Sequence, residues 1–310
     1  MVIITLAFSP LNMDLNRTDV SIVYVVTIMA NVFIIVIVTK EQCLHKAMYI
    51  FIGGLSFLEI WYPSVTVPRL LWALLTKCES ISLAGCMTQF YFHFTFGATE
   101  NFLLVVMAYD RYVAICNPLQ YVVIMSPKTC YKLLLGSWVL GFLMVIVPCS
   151  QISNLPFCGR NIDHYYCDFA PLLKLSCSDT SNIKKLVFVT ACFVILGCLL
   201  LIIASYVCII RTAIHFPSSF GKSKAFSTCA SHLIVVSLFY GTTIFMFLRP
   251  NSEDFLHLNK VISIVPSVIT PLLNPVIYTL RNQEVKVAVI KTLQKIKCLE
   301  NERRASSGYF

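Results

Sequence analysis

The sequence predicts an all-α membrane protein, a seven-transmembrane helix bundle followed by a C-terminal interfacial helix. Hydrophobic residues make up 57% of the 310 residues and charged residues only 13%, whereas a soluble domain carries about 25% charged residues. The mean hydropathy is +0.77. Seven stretches approach the roughly 20 apolar residues that a helix needs to cross a bilayer. This composition argues against a soluble two-domain enzyme.

The basic residues between the seven apolar stretches predict how the chain is oriented in the membrane. Fifteen of the 24 Lys and Arg residues fall on one side if the N-terminus lies outside. Because Lys and Arg are enriched in cytoplasmic loops, the basic side is predicted to be cytoplasmic and to face anionic lipid. Bases are not interleaved with aromatic residues as on a nucleic-acid-binding surface. The predicted spans are Val20–Thr39, Met48–Leu71, Ala84–Ala108, Lys132–Cys149, Leu186–Ile210, Ala225–Leu248 and Val261–Leu280.

Three segments are expected: a short extracellular N-terminus (1–19), a seven-span domain (20–281) and a cytoplasmic helix and tail (282–310). Val2–Phe8 is apolar but lacks the basic flank and cleavage site of a signal peptide, so the first span is predicted to direct export. Asn16 begins the sequon Asn16-Arg17-Thr18 and is a candidate glycosylation site close to the membrane. Arg281–Lys297 alternates apolar residues with lysines at helical spacing, which predicts a helix lying on the inner leaflet.

Cysteines on the predicted outer side indicate disulfides. Cys86 lies at the outer end of the third span, and Cys158, Cys167 and Cys177 lie in the long loop between spans four and five. An oxidising compartment favours disulfides, and the sequence alone allows three pairings. Cys78 lies on the same side and leaves an odd count. The loop spacings of nine and ten residues, without a CxxC motif, disfavour a zinc site.

The third span carries the densest set of functional candidates. Asp110 and Arg111 lie at its inner end within Met107–Cys116, and an ionised pair there is costly to desolvate and usually functional. Polar and small residues recur along the span at steps of three or four, so they share one helix face. That face would link the outer cysteine, a mid-membrane pocket and the inner ion pair. Its members are Cys86, Gln89, His93, Gly97, Glu100, Leu104, Met107 and Arg111.

Two acids lie deep in apolar sequence, Glu59 in span two and Glu100 in span three. Unpaired carboxyl groups in a low dielectric tend to stay protonated. A small cation such as sodium between them would relieve this cost. A neutral core hydrogen-bonded to Asn31 and Asn274 would relieve it equally well, and the residues leave both readings open.

The seventh span is predicted to be kinked. Pro266, Pro271 and Pro275 each remove a backbone hydrogen-bond donor. Such kinks are tolerated in membranes when neighbouring groups satisfy the freed carbonyls. Tyr278 follows close to the Arg111 end, so this segment is either a moving element or a static kink.

These motifs together resemble a rhodopsin-like G-protein-coupled receptor, and specifically an olfactory receptor of the tetrapod type. The likeness runs from about Ala30 to Val285. Asn101 and Gln120 depart from the family pattern, since Cys and a base are common at those places. The matching strings are Leu55–Glu59, Met107–Leu119, Lys224–Leu233 (KAFSTCASHL) and Pro271–Tyr278 with Leu280-Arg281-Asn282.

The resemblance implies disulfides, a switch and a ligand pocket. Cys86 would pair with Cys167, and Cys158 with Cys177. A heterotrimeric G protein would bind the cytoplasmic side, and Tyr206 and Tyr278 would swing toward Arg111 on activation. The implied switch residues are Asp110, Arg111, Tyr112, Tyr206, Asn274, Pro275 and Tyr278. The implied pocket walls are His93, Phe94, Gly97, Ala98, Thr190, Val194, Tyr240, Thr243 and Ile244.

The function expected on this basis is an odorant receptor of the plasma membrane that raises cyclic AMP, without enzymatic activity or a cofactor. The alternative is a rhodopsin-like receptor for another small molecule, although an amine receptor would want an acid near His93. A transporter or channel would be expected to show repeats or rings of charge, and the sequence shows no internal repeat. Neutral polar groups at His93, Thr190, Tyr240 and Thr243 predict a preference for uncharged alcohols, ketones or esters over amines.

Overall fold

Seven long helical segments form the predicted bundle. The computed structural model describes residues 3–6, 17–41, 44, 46–78, 80–162, 164–216, 218–247, 262–281, 284–292 and 294. Asn16 and most of the tail therefore lie outside the described residues. The helices are α1 (Arg17–Lys40), α2 (Ala47–Thr76), α3 (Leu83–Cys116), α4 (Tyr121–Ile124), α5 (Pro127–Ser153), α6 (Phe169–Lys174), α7 (Ser181–Ile214), α8 (Ser219–Phe247) and α9 (Thr270–Arg281). Residues 284–292 are also helical.

Six segments in the described part of the chain are long and apolar enough to cross a membrane. The seventh member of the bundle, α3, is 34 residues long and more polar, because its buried face carries His93, Glu100 and Asp110. It lies at the centre of the bundle and contacts α2, α5, α7 and α8. At 1.5 Å per residue α3 measures about 51 Å, so it is tilted or protrudes beyond the roughly 30 Å hydrocarbon core.

The outward faces of the helices are apolar. On α7, Phe188, Val189, Phe193 and Leu200 are 60% to 72% exposed, whereas the buried set of the protein includes carboxyl, amide and imidazole groups. A water-soluble protein rarely exposes contiguous apolar patches of this kind. The lipid bilayer is the solvent that accounts for this distribution.

Serine caps fix where two of the long helices begin. Ser82 precedes α3 and its Oγ accepts a hydrogen bond from the Gly85 N–H at 3.1 Å. Ser126 precedes α5 in the same way, with Pro127 at the first helical position. Both choices follow the usual chemistry of helix N-termini, where a side-chain oxygen satisfies an otherwise unpaired N–H and proline needs no donor.

A small sheet covers the end of the bundle that carries the cysteine bridges, here called the bridged end. Strand β1 (Ile3–Leu6) pairs antiparallel with β2 (Ser80–Ser82) and parallel with β3 (Asn161–Ile162). The Ile4 and Leu6 side chains are fully buried in a hydrophobic cluster that includes both cysteines of the first disulfide. The sequence indicated an apolar N-terminal stretch, but its strand depends on partners far along the chain.

The predicted kink of the last span is present as a π-helical turn, Val265–Ile269, that includes Pro266. Pro275 has no N–H, so the carbonyl of Pro271, four residues earlier, has no helical partner. The Asn31 amide nitrogen donates to that carbonyl at 3.0 Å. A side chain from α1 therefore satisfies the backbone group that the proline leaves free.

An ion pair holds helix 284–292 against the start of α2. The Lys46 Nζ lies 2.7 Å from both carboxylate oxygens of Glu284, and the Tyr49 hydroxyl donates to the same group at 2.9 Å. Partial burial raises the pKa of Glu284, but the hydrogen bonds from Lys46 and Tyr49 together lower it by more, so the net shift is downward. The ion pair therefore stabilises the attachment fully at pH values above the ordinary pKa of a glutamate. This stabilisation is lost as the pH falls through the lowered pKa of Glu284.

Glu284→Gln is expected to loosen helix 284–292 without unfolding the bundle, because an exposed ion pair contributes at most about 1 kcal/mol. The protection of the amides in residues 284–292 against hydrogen exchange, relative to the intrinsic rate at the same pH, should fall several-fold, and the wild type should show the same fall only at acidic pH. Lys286→Gln removes an exposed charge from the same helix and serves as the control. Equal exchange in the two variants would contradict the attachment.

Candidate functional site

A cavity of about 190 Å³ lies near the bridged end, between α3, α5, α7 and α8. One face of α3 supplies a wall of six residues at helical spacing: Phe90, His93, Phe94, Gly97, Ala98 and Asn101. Helices α7 and α8 supply the opposite walls, and Tyr166, Asp168 and Phe169 cover it from the long loop. The lining is mostly apolar with a few polar groups, which is the usual character of a small-molecule site.

Seven of the nine predicted pocket residues line this cavity: His93, Phe94, Gly97, Ala98, Thr190, Val194 and Thr243. The other two, Tyr240 and Ile244, are absent from its lining. Helix α8 instead presents Phe239, Thr243 and Met246, which are spaced four and three residues apart. Tyr240 and Ile244 each follow a lining residue by one position, which turns them about 100° away from the cavity.

His93 is held between two aromatic rings. Its ring centroid lies 5.1 Å from that of Tyr62 and 4.4 Å from that of Tyr166. The side chain is buried, and its Nδ1 has no hydrogen-bond partner among the described residues. His93 therefore contributes an unpaired ring nitrogen to the α3 wall.

Disulfides hold the long loop over the cavity. Cys86 is bonded to Cys167, and Cys158 to Cys177, which confirms the pairing implied by the family resemblance. The Gln89 side chain reinforces the first bridge, because its Oε1 accepts from the Cys167 N–H at 3.1 Å. Cys78 is exposed and forms no disulfide, so the odd cysteine has no disulfide partner within the described chain.

The two deep acids differ in their surroundings. The Asn274 amide donates a hydrogen bond to Glu59 Oε1, whereas Asn31 donates to backbone carbonyls and does not join the pair. Glu59 Oε2 and Glu100 Oε1 are buried without a hydrogen-bond partner in the described chain. Carboxylate oxygens of this kind suit a hard cation. A neutral hydrogen-bonded core accounts for Glu59 Oε1, which accepts from Asn274, but it leaves Glu59 Oε2 and Glu100 Oε1 without a partner in the described chain.

The opposite end of the bundle, here called the Arg111 end, contains a buried ion pair. The Arg111 guanidinium binds the carboxylate of its neighbour Asp110, with Nε at 2.9 Å from Oδ2. The Tyr121 hydroxyl donates to the other carboxylate oxygen at 2.8 Å. Within the described residues no hydrogen bond joins Tyr112 to this network, and its ring stacks against that of Tyr109. Both carboxylate oxygens of Asp110 thus accept hydrogen bonds, and the Arg111 guanidinium is held beside Asp110.

A second pair of side chains sits beside this ion pair. The Tyr206 hydroxyl and His232 Nδ1 are 2.7 Å apart, and His232 Nε2 lies 3.1 Å from the Leu104 carbonyl. A carbonyl only accepts, so Nε2 carries the hydrogen and Nδ1 accepts from Tyr206. Tyr206 is therefore bonded to α8 and not to Arg111. Tyr278 and Arg111 both line a small cavity of about 20 Å³.

Comparisons with known proteins decide the family. The sequence model described as "Olfactory receptor" matches residues 20–296. The chain is 48% identical over 271 residues to human olfactory receptor 6F1, covering 87% of this chain and 88% of that protein. It is 47% identical over 274 residues to rat olfactory receptor 287, covering 88% of each. The chain belongs to the olfactory receptor family. The family resemblance drawn from the motifs is thereby confirmed, as is the seven-helix bundle.

Asp168, Tyr121 and His232 are among the residues of this olfactory receptor's sites that were not predicted from the sequence. Asp168 comes from the loop after the bridged Cys167 and lines the cavity that holds His93. Tyr121 and His232 complete the network at the Arg111 end. His232 lies within KAFSTCASHL, so the motif pointed to its segment. Neither Asp168 nor Tyr121 stood out, because only the folded loops bring them to these sites.

Proposed function

We propose that the receptor binds a small, uncharged organic odorant in the 190 Å³ cavity and activates a stimulatory, olfactory-type G protein that raises cyclic AMP. The observation that carries this proposal is the course of α3. One helix lines the cavity through His93 and Gly97 and carries the Arg111–Asp110 ion pair toward its other end. A ligand that shifts this helix against its neighbours therefore acts on both sites.

The proposed orientation places the bridged end outside the cell and the Arg111 end in the cytoplasm. Disulfides form in oxidising compartments, and the excess of Lys and Arg falls on the other side. On this basis residues 1–19 are extracellular, 20–281 span the plasma membrane, and 282–310 lie on its cytoplasmic surface. The G protein would meet the Arg111 end and the lipid would surround α7.

The described conformation is proposed to be the resting state. Arg111 is bound to Asp110, and Tyr206 is bound to His232. Activation would release both contacts and let Tyr206 and Tyr278 approach Arg111. A ligand achieves this by binding the active arrangement more tightly than the resting one. A sodium ion at Glu59 and Glu100 would favour the resting arrangement by occupying their unpaired oxygens.

Asp168 favours a second candidate, a receptor for a small amine. Its buried carboxylate lines the cavity and would attract a cation. Against this, Asp168 already accepts from the Tyr166 hydroxyl at 3.5 Å, and the rest of the lining is neutral. The neutral odorant remains the main proposal, and the ligand panel separates the two.

The test is a cyclic AMP assay in cells that express the chain with an export chaperone, using a panel of alcohols, ketones, esters and amines. We expect a dose-dependent rise with uncharged ligands and its loss in Arg111→Ala at matched surface level. A response confined to amines would favour the second candidate. Ion currents or substrate uptake without cyclic AMP would overturn the receptor proposal in favour of a channel or transporter.

A further inference from the structure

Asn101 presents a hydrogen-bond acceptor in the deep part of the cavity wall. It lies one turn of α3 beyond Gly97, is only 4% exposed, and belongs to the cavity lining. Its amide nitrogen donates to the Gly97 carbonyl at 2.9 Å. Because a carbonyl only accepts, the nitrogen must face Gly97 and the amide oxygen must face away from it.

That amide oxygen is unpaired. Asn101 Oδ1 is buried without a hydrogen-bond partner among the described residues. Buried acceptors are normally satisfied, and an exception points to a missing partner such as a water molecule or a ligand. Two other polar side chains of the lining are already engaged: Ser263 donates to Tyr165, and Asp168 accepts from Tyr166.

His93 supplies the second unpaired group of the α3 wall, and it differs from Asn101 in kind. The two residues are eight positions apart on one face, about 12 Å along the helix axis. The free His93 Nδ1 donates or accepts according to the tautomer of the ring. The Asn101 oxygen only accepts. Asn101 is therefore the one of the two that discriminates between ligands with and without a donor.

We infer that Asn101 is a specificity-determining residue whose amide oxygen accepts a hydrogen bond from the hydroxyl group of an alcohol ligand. The inference rests on the proposed function and narrows its ligand class. Ketones and esters of the same carbon skeleton carry no donor and leave the oxygen unpaired. A site built around an unpaired acceptor rejects such analogues, because they desolvate it without replacing its hydrogen bond.

The experiment compares each alcohol with its ketone of the same skeleton in wild type and in Asn101→Leu, by cyclic AMP dose–response. Wild type should respond to the alcohol at a concentration at least tenfold lower. Asn101→Leu, similar in size but without an acceptor, should weaken the alcohol about tenfold and change the ketone less than threefold. Ser137→Ala removes a buried hydroxyl on α5 outside the cavity and should change neither ligand.

A binding measurement separates this inference from the proposed signalling. Thermal shift of the purified receptor in lipid nanodiscs, with the same alcohol and ketone pairs, needs no G protein. Alcohol-selective stabilisation that disappears in Asn101→Leu supports the inference even if cyclic AMP does not rise. Equal stabilisation by both members of each pair in wild type, or equal loss of both in the variant, overturns it. Asn101→Ala replaces Asn101→Leu if the larger variant does not reach the membrane, with the same expectation.

Discussion

Gly141→Ala is expected to deplete the receptor from the cell surface. An added Cβ at Gly141 would meet the Thr99 hydroxyl and lie 3.0 Å from the Thr99 backbone nitrogen. That nitrogen belongs to α3, so it gives way only if α3 and α5 move apart. Small residues are what let two membrane helices approach this closely. Overpacking of this kind costs about 1–3 kcal/mol and sometimes more.

Gly136 provides the matched control for this substitution. It lies on the same helix, and an added Cβ there would meet nothing within 4 Å. Gly136→Ala should keep or raise the surface level, since alanine is favoured over glycine in a helix by about 1 kcal/mol. Surface labelling and thermal unfolding of the purified variants measure the difference. Equal behaviour of the two would show that α3 and α5 are not in close contact at Gly141.

Loss of the Cys86–Cys167 bridge is the second large effect expected. The two cysteines are 81 residues apart, and closing a loop of that length stabilises a fold by about 4–5 kcal/mol in the chain-entropy account. Cys167→Ser also frees the loop that carries Tyr166 and Asp168 over the cavity. The variant should lose surface expression and, where it reaches the membrane, any response to odorant.

Two comparisons make the disulfide prediction specific. The Cys158–Cys177 bridge closes a separation of only 19 residues, so Cys177→Ser should be milder, by about 1 kcal/mol in the same account. Cys78→Ser removes a free, exposed thiol and should change neither surface level nor thermal unfolding. If Cys78→Ser were as harmful as Cys167→Ser, the bridge could not be the cause.

The membrane spans and the Arg111–Asp110 ion pair could be predicted from the sequence because their signals are local. A run of apolar residues defines a span, and Asp110 and Arg111 are adjacent in the chain. The third span was predicted to end at Ala108, with its helix continuing at least to Arg111, and α3 continues further, to Cys116. Its last turns are too polar to be counted as a span, and the structure buries their charges against neighbouring helices.

The cavity was only partly predictable because it is built from distant segments. Helical spacing along α3 correctly grouped His93 with Gly97, but it could not set the rotation of α8, which turns Tyr240 away. Asp168 lines the cavity from the loop that the Cys86–Cys167 disulfide fixes to α3. Residues whose position depends on a contact far along the chain leave no pattern in their own neighbourhood.

The β1 strand has a consequence for the order of events during biosynthesis. It is made before β3, its parallel partner, which follows only after roughly 160 residues, on the order of ten to thirty seconds at ordinary ribosome speeds. The antiparallel partner β2 appears about halfway through that interval, but the hydrophobic cluster that buries Ile4 and Leu6 is complete only after its end. The Ile4 and Leu6 side chains therefore reach their full burial only after the chain beyond Ile162 has emerged.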